Sequence, residues 1–133
     1  DSQLNYAASD VQYLINLYCL QEKQLIETSK IDWHREEIDF LISIIFERNI
    51  LNEEVERILT KEEENKINSK FNQVIEQVAA KEKINPTLLF SKKNQKDFIR
   101  LVLKQGTEEA FQTTTKWRKS LLKDSLDSLL RDN

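Results

Sequence analysis

Glycine and proline occur once each in 133 residues. Hairpins and sheets rely on those residues to turn the chain, so a sequence this poor in them reads as all-α. The abundance of Leu, Lys, Glu and Gln agrees with that. Cysteine also occurs once. Cys19 cannot form an internal disulfide, and a reducing cytoplasm is the default compartment. It sits in an apolar helical stretch with no basic neighbour to make a thiolate, so it is expected to be buried. No apolar run approaches the ~20 residues of a membrane span, and no secretory or transit segment is visible. A Gly-rich phosphate loop, paired-cysteine zinc spacing and a serine–histidine nucleophile pattern are all missing. The one histidine, His34, has Glu36 and Glu37 nearby but no second histidine, and reads as a surface residue.

What is present is charge, unevenly spread. Residues 1–80 carry 16 acidic and 8 basic side chains, whereas residues 81–133 carry 12 basic and 7 acidic ones. An acidic part joined to a basic part suggests two jobs, and the basic part is where an anionic partner would dock.

Apolar periodicity and capping residues divide the chain into helices. Ser2 is expected to cap a first helix to about Glu27, with Val11, Leu14, Ile15 and Tyr18 at helical spacing. After a turn at Ser29, Asp32 is expected to cap a second helix ending near Asn49. Its body from Phe40 to Phe46 is apolar almost all round, which means burial on several sides or cover by a partner. Asn52 is expected to cap a short helix through Leu59. Thr60 with Glu63 is a capping-box pattern that starts another, and the solvated run from Lys61 to Lys66 reads as a hinge. Ile67, Phe71, Val74, Ile75 and Val78 form an apolar stripe. Asn85–Pro86 stops that helix and opens a short turn holding Leu88, Leu89 and Phe90. Ser91 caps the next helix, and Gly106 is expected to close it in the left-handed position. Thr107, Glu108 and Glu109 open a short helix. The last one begins near Thr115 and turns Trp117, Leu121, Leu122, Leu126 and Leu129 inward.

Tyr6 and Asp10 stand one helical turn apart on one face. A tyrosine and a carboxylate held that way can set a water-orienting hydroxyl beside a metal ligand. The longer run, with Ala7, Ala8, Val11, Tyr13, Leu14 and Tyr18, resembles the third exonuclease motif of the ribonuclease D family, the tyrosine branch of the DEDD 3′–5′ exonucleases. The resemblance implies two-metal phosphodiester hydrolysis. Asp10 would ligate Mg2+ or Mn2+, and Tyr6 would orient the attacking water. That chemistry also needs carboxylates from two earlier motifs, an Asp-x-Glu strand and a second Asp, and no strand-borne Asp-x-Glu occurs in this sequence. They are expected from an upstream, N-terminal exonuclease region, so this chain alone is expected to be catalytically incomplete.

A second resemblance lies in the basic part. Ile84-Asn-Pro-Thr-Leu-Leu-Phe-Ser-Lys-Lys93 and Lys116-Trp-Arg-Lys-Ser-Leu-Leu122 are similar to the start and the closing helix of the HRDC domain, which follows the catalytic domain in ribonuclease D and serves RecQ-type helicases as a nucleic-acid-binding accessory. Family members often have glycine where Lys116 stands. The expected organisation is residues 1–30 as the last helix of an exonuclease domain, 31–66 as a linker or remnant, and 67–133 as an HRDC-like bundle.

Without any family, the spacing alone marks a basic surface. Lys92, Lys93, Lys96, Arg100 and Lys104 fall at helical steps and form one cationic stripe. Lys116, Lys119 and Lys123 form another, with Arg118 alongside. Such stripes suit a phosphate backbone. Trp117, in register with Leu121, reads as a core anchor. The combined expectation is a module that grips structured RNA, with tRNA precursors the substrates implied by the resemblance. The alternative is a helical interaction module that self-associates through the segment from Phe40 to Phe46.

Overall fold

Seven helices and no strand make up the described residues, 2–46 and 57–132, of the computed structural model. The all-α expectation therefore holds. They fall into two units, one ending at Phe46 and one following it.

In the first unit α1 (Ser2–Glu27) and α2 (Ile31–Phe46) form a hairpin. The reversal is closed by Ser29 at φ 56°, with Lys30 N–H donating to Leu25 C=O at 2.8 Å and Ser29 N–H to Ile26 C=O at 3.0 Å. This is the left-handed closure a glycine usually supplies. Asp32 is not the cap of α2. The helix has already begun at Ile31, and the Asp32 carboxylate instead meets Arg35 at 3.4 Å. Lys30 lies 5.2 Å from the centre of the Trp33 ring.

Neither helix of this unit buries a single residue. Leu25, Trp33 and Phe40 are half-buried near the turn, while residues 2–21 and 41–46 are exposed throughout. Phe46 keeps 85% of its surface in solvent and Tyr6 72%. Cys19, expected in a core, is exposed. The reason is geometric: two helices joined at one end cover each other only along one seam, and this seam is short.

The second unit is a closed bundle of α3 (Lys61–Glu82), α4 (Pro86–Leu89), α5 (Lys92–Gln105), α6 (Thr107–Phe111) and α7 (Lys116–Arg131). Of the short helix expected from Asn52 to Leu59, the first part lies outside the described residues, and residues 57–59 are not helical. The run from Lys61 to Lys66, read as a hinge, forms the first turns of α3. Thr60 and Glu63 make both legs of the capping box there, at 3.4 and 3.1 Å. Glu62, Glu63 and Glu64 face the positive end of the helix dipole, so what looked like a solvated breaker is a start signal.

Lys83 ends α3 at φ 56°, ψ 45°, and Ile84 N–H reaches back to Ala79 C=O at 3.0 Å. Asn85 then caps α4 through Thr87 N–H, with Pro86 in the first turn, and Ser91 caps α5 through Asn94 N–H. Gly106 has positive φ as expected, but at φ 93°, ψ 164° it is not in the left-handed helical region. This extended conformation, open almost only to glycine, lets one residue end α5 and start α6.

α3 packs on α4, α5 and α7, and α6 bridges α5 to α7. The core centres on four phenylalanines, one each from α3, the end of α4, α5 and α6. Phe98 is 4.8 Å from Phe90, 5.0 Å from Phe111 and 5.9 Å from Phe71, centre to centre. Ile75, Leu89, Ile99, Leu122 and Leu126 complete it, and Trp117 is a core anchor at 6% exposure. Removing any of these rings costs about 3–5 kcal/mol.

Candidate nucleic-acid interface

α5 presents its two sides unequally. Gln95, Phe98, Ile99 and Val102 are buried against the bundle. At about 100° per residue, Lys92, Lys96, Lys93 and Lys104 follow one another over about 120° of another side, and all four are exposed. None of the four makes an ion pair or side-chain hydrogen bond with another described residue. Gln95 fixes the rotation of the helix. Its amide donates to Asn72 Oδ1 and to Phe90 C=O, both at 3.2 Å.

Arg100 lies within the same stripe, but its side chain is engaged by a partner. Its Nε donates to Glu64 Oε1 at 2.6 Å, and Arg57 Nε holds the other oxygen at 2.9 Å. Glu64 is buried at 4% exposure. The Arg100 hydrogen bond keeps its carboxyl below the ordinary 4.5, against the opposing effect of burial. Arg100 thus ties α5 to α3 and is a structural cation.

The second stripe is partly occupied as well. Glu108 of α6 accepts from Lys119 at 2.6 Å through one oxygen and from Lys123 through the other. Its carboxyl is held down at about 2, first by the Lys119 and then by the Lys123 hydrogen bond. Arg118 lies across Trp117 with its guanidinium carbon 4.7 Å from the ring centre. It donates to the carbonyls of Leu88 and Leu89 at 2.8 and 2.9 Å and to Thr115 Oγ1 at 3.0 Å. It closes the end of α4 against the start of α7. Lys116 is exposed.

Of the nine cations marked in the sequence, then, four form an exposed row on α5, Lys116 is exposed at the start of α7, and Arg100, Arg118, Lys119 and Lys123 are engaged by the partners described above. Neither Glu64 nor Glu108 was marked. Glu64 lies 36 residues from Arg100, and Glu108 lies 11 and 15 from its lysines, so no local spacing announces either contact.

The chain matches no family model, no curated protein and no solved structure.

In the first unit Tyr6 and Asp10 are exposed on α1, one turn apart. Tyr13 and Leu17 share their side of the helix, also exposed. Among the described residues no group of three His, Cys, Asp or Glu side chains stands close enough to hold a metal ion. Asp10 alone does not fit the two-ion chemistry, and no reaction step is assigned to it here. No helix among the described residues is long and apolar enough to cross a membrane.

Proposed function

We propose that the second unit is an RNA-binding helical module of a ribonuclease D-like 3′–5′ trimming protein, and that α5 carries the contact. One observation supports this most: Lys92, Lys93, Lys96 and Lys104 form an exposed row without partners among the described residues. From Lys92 to Lys104 the helix advances about 18 Å. One nucleic-acid strand places roughly five phosphates along that length. No exposed aromatic accompanies the row, so the contact reads backbone and shape, as suits structured RNA such as a tRNA precursor.

The test is a gel-retention series with an end-labelled tRNA-precursor transcript at different salt concentrations. Four phosphate contacts give a log–log slope of roughly −3 to −4, which is about a 50- to 150-fold loss between 50 and 200 mM salt. Binding indifferent to salt ends this reading. With magnesium or manganese added, the transcript is expected to keep its length until an upstream exonuclease region supplies the missing carboxylates. A reconstituted protein that binds metal and RNA yet removes no nucleotide would end the assignment of Tyr6 and Asp10.

A second reading has its own observation, the uncovered apolar surface of the first unit. Val11, Leu14, Ile15 and Tyr18 on α1, and Leu41, Ile42, Ile45 and Phe46 on α2, are all exposed. Contiguous exposed apolar surface marks interaction sites. Light scattering across a concentration series tests self-association, and Ile42→Lys with Ile45→Lys should return any larger species to the monomer mass.

A further inference from the structure

Lys119 and Lys123 stand one turn apart on α7, and each gives its ammonium to a different oxygen of Glu108. Two cations converging on two oxygens of one anion is also how a protein holds a phosphodiester, whose two free oxygens form a similar fork. We propose that Lys119 and Lys123 are a second, latent phosphate-binding site on the RNA-binding unit, and that Glu108 keeps it closed by occupying the phosphate's place. The proposal rests on the RNA-binding reading above and specifies how that surface is regulated.

Two features make Glu108 a displaceable plug. It is more than half exposed, and exposed ion pairs are weak and screened by salt. It comes from α6, a five-residue helix whose start at Gly106 has no side-chain cap. Its carboxylate, held at about 2, stays ionised at every pH where RNA is intact, so the plug is charged whenever the site could be used. Asp124 and Asp127 also act on Lys123. They lower the pull of the open pair on RNA. While Glu108 is seated, binding runs through α5.

Glu108→Gln frees both lysines. Two further phosphate contacts steepen the salt slope by about 1.4–1.8, which is roughly tenfold tighter binding near 150 mM salt. Glu109→Gln changes net charge equally, but Glu109 has no lysine partner, so its effect should stay within about twofold. Lys119→Gln with Lys123→Gln should remove the whole gain in the Glu108→Gln background. Glu108→Ala, which also empties the fork, carries the same comparison if Glu108→Gln folds poorly. A Glu108→Gln protein matching Glu109→Gln in affinity and slope overturns the latent site while leaving α5 binding in place. A gain that survives loss of both lysines overturns it too. If neither the wild type nor Glu108→Gln retains RNA, the latent site and the RNA reading fall together.

Discussion

Replacing Arg100 with glutamine separates a structural cation from an RNA-binding one. The variant leaves Glu64 buried with Arg57 as its remaining partner, and Arg57 is itself 49% exposed while Arg100 is 21% exposed. A hydrogen bond to a charged group contributes about 1.5–3 kcal/mol, and breaking a buried ion pair costs about 3–5 kcal/mol. Arg57 stays to share the charge, so the loss falls toward the lower range, about 2 kcal/mol. For a bundle of this size each kcal/mol moves the melting temperature by about 4–8 °C, so Tm should drop by about 10 °C. Tryptophan fluorescence reads this cleanly in a Trp33→Phe background, where Trp117 alone reports the second unit. Lys96→Gln is the matched control. It should leave Tm unchanged, flatten the salt slope by about 0.7–0.9 and weaken RNA binding several-fold. The reasoning is refuted if Arg100→Gln melts with the wild type and loses RNA as Lys96→Gln does.

Acid gives the same test a second axis. The Glu64 carboxyl titrates below its unfolded value of 4.5, chiefly through the Arg100 hydrogen bond. A depressed carboxyl stabilises the fold fully above the unfolded value, and that contribution is lost as pH falls through the folded one. The deficit of Arg100→Gln should therefore be complete at pH 7 and shrink as pH falls below 4.5.

Two backbone and core sites give further predictions. Lys83 holds a left-handed conformation that penalises a β-carbon, so Lys83→Gly should raise the urea midpoint by about 1 kcal/mol of stability. Asn68 is buried with neither amide atom hydrogen-bonded to another described residue. Asn68→Leu, close in volume, should stabilise the second unit by about 1 kcal/mol in the same denaturation, and a loss of stability there would mean the amide has a partner such as a bound water.

The parts of this fold legible in sequence are those written locally. Thr60, Asn85, Ser91 and Gly106 each declare a boundary within a few residues, and the apolar stripe of α3 and Trp117 declare the core side. Lys61 to Lys66 misled because charge density says nothing about direction, and Glu64 within that run turns inward to meet two arginines. Ser29 and Lys83 take left-handed conformations usually held by glycine, and backbone hydrogen bonds to the preceding helix close both turns. The cationic stripes were legible as stripes. Their use was not, since Arg100, Lys119 and Lys123 are each engaged by a carboxylate distant in sequence. Helical spacing reports which side of a helix a residue occupies, and only the packed chain reports what already stands opposite.

The first unit obeys a different rule from the second. Residues 2–21 contain one charged side chain, Asp10, amid exposed Leu4, Tyr6, Val11, Tyr13, Leu14, Ile15, Leu17 and Tyr18. A surface so depleted in charge has nothing to offer a phosphate, and it matches the composition of a protein interface core. Helices without tertiary packing are marginal in water, so a partner surface docking on α1 would add to its stability. Asp10 shares its side of α1 with Tyr6, Tyr13 and Leu17. A surface closing over that side would take the carboxylate out of water, and an unpaired buried charge is prohibitive. The covering surface must therefore bring a cation or several hydrogen-bond donors to Asp10. That requirement is met equally by a bound divalent ion or by a basic side chain, and Asp10→Asn distinguishes them: it should abolish divalent-ion dependence of the association in the first case and leave no ion dependence to abolish in the second.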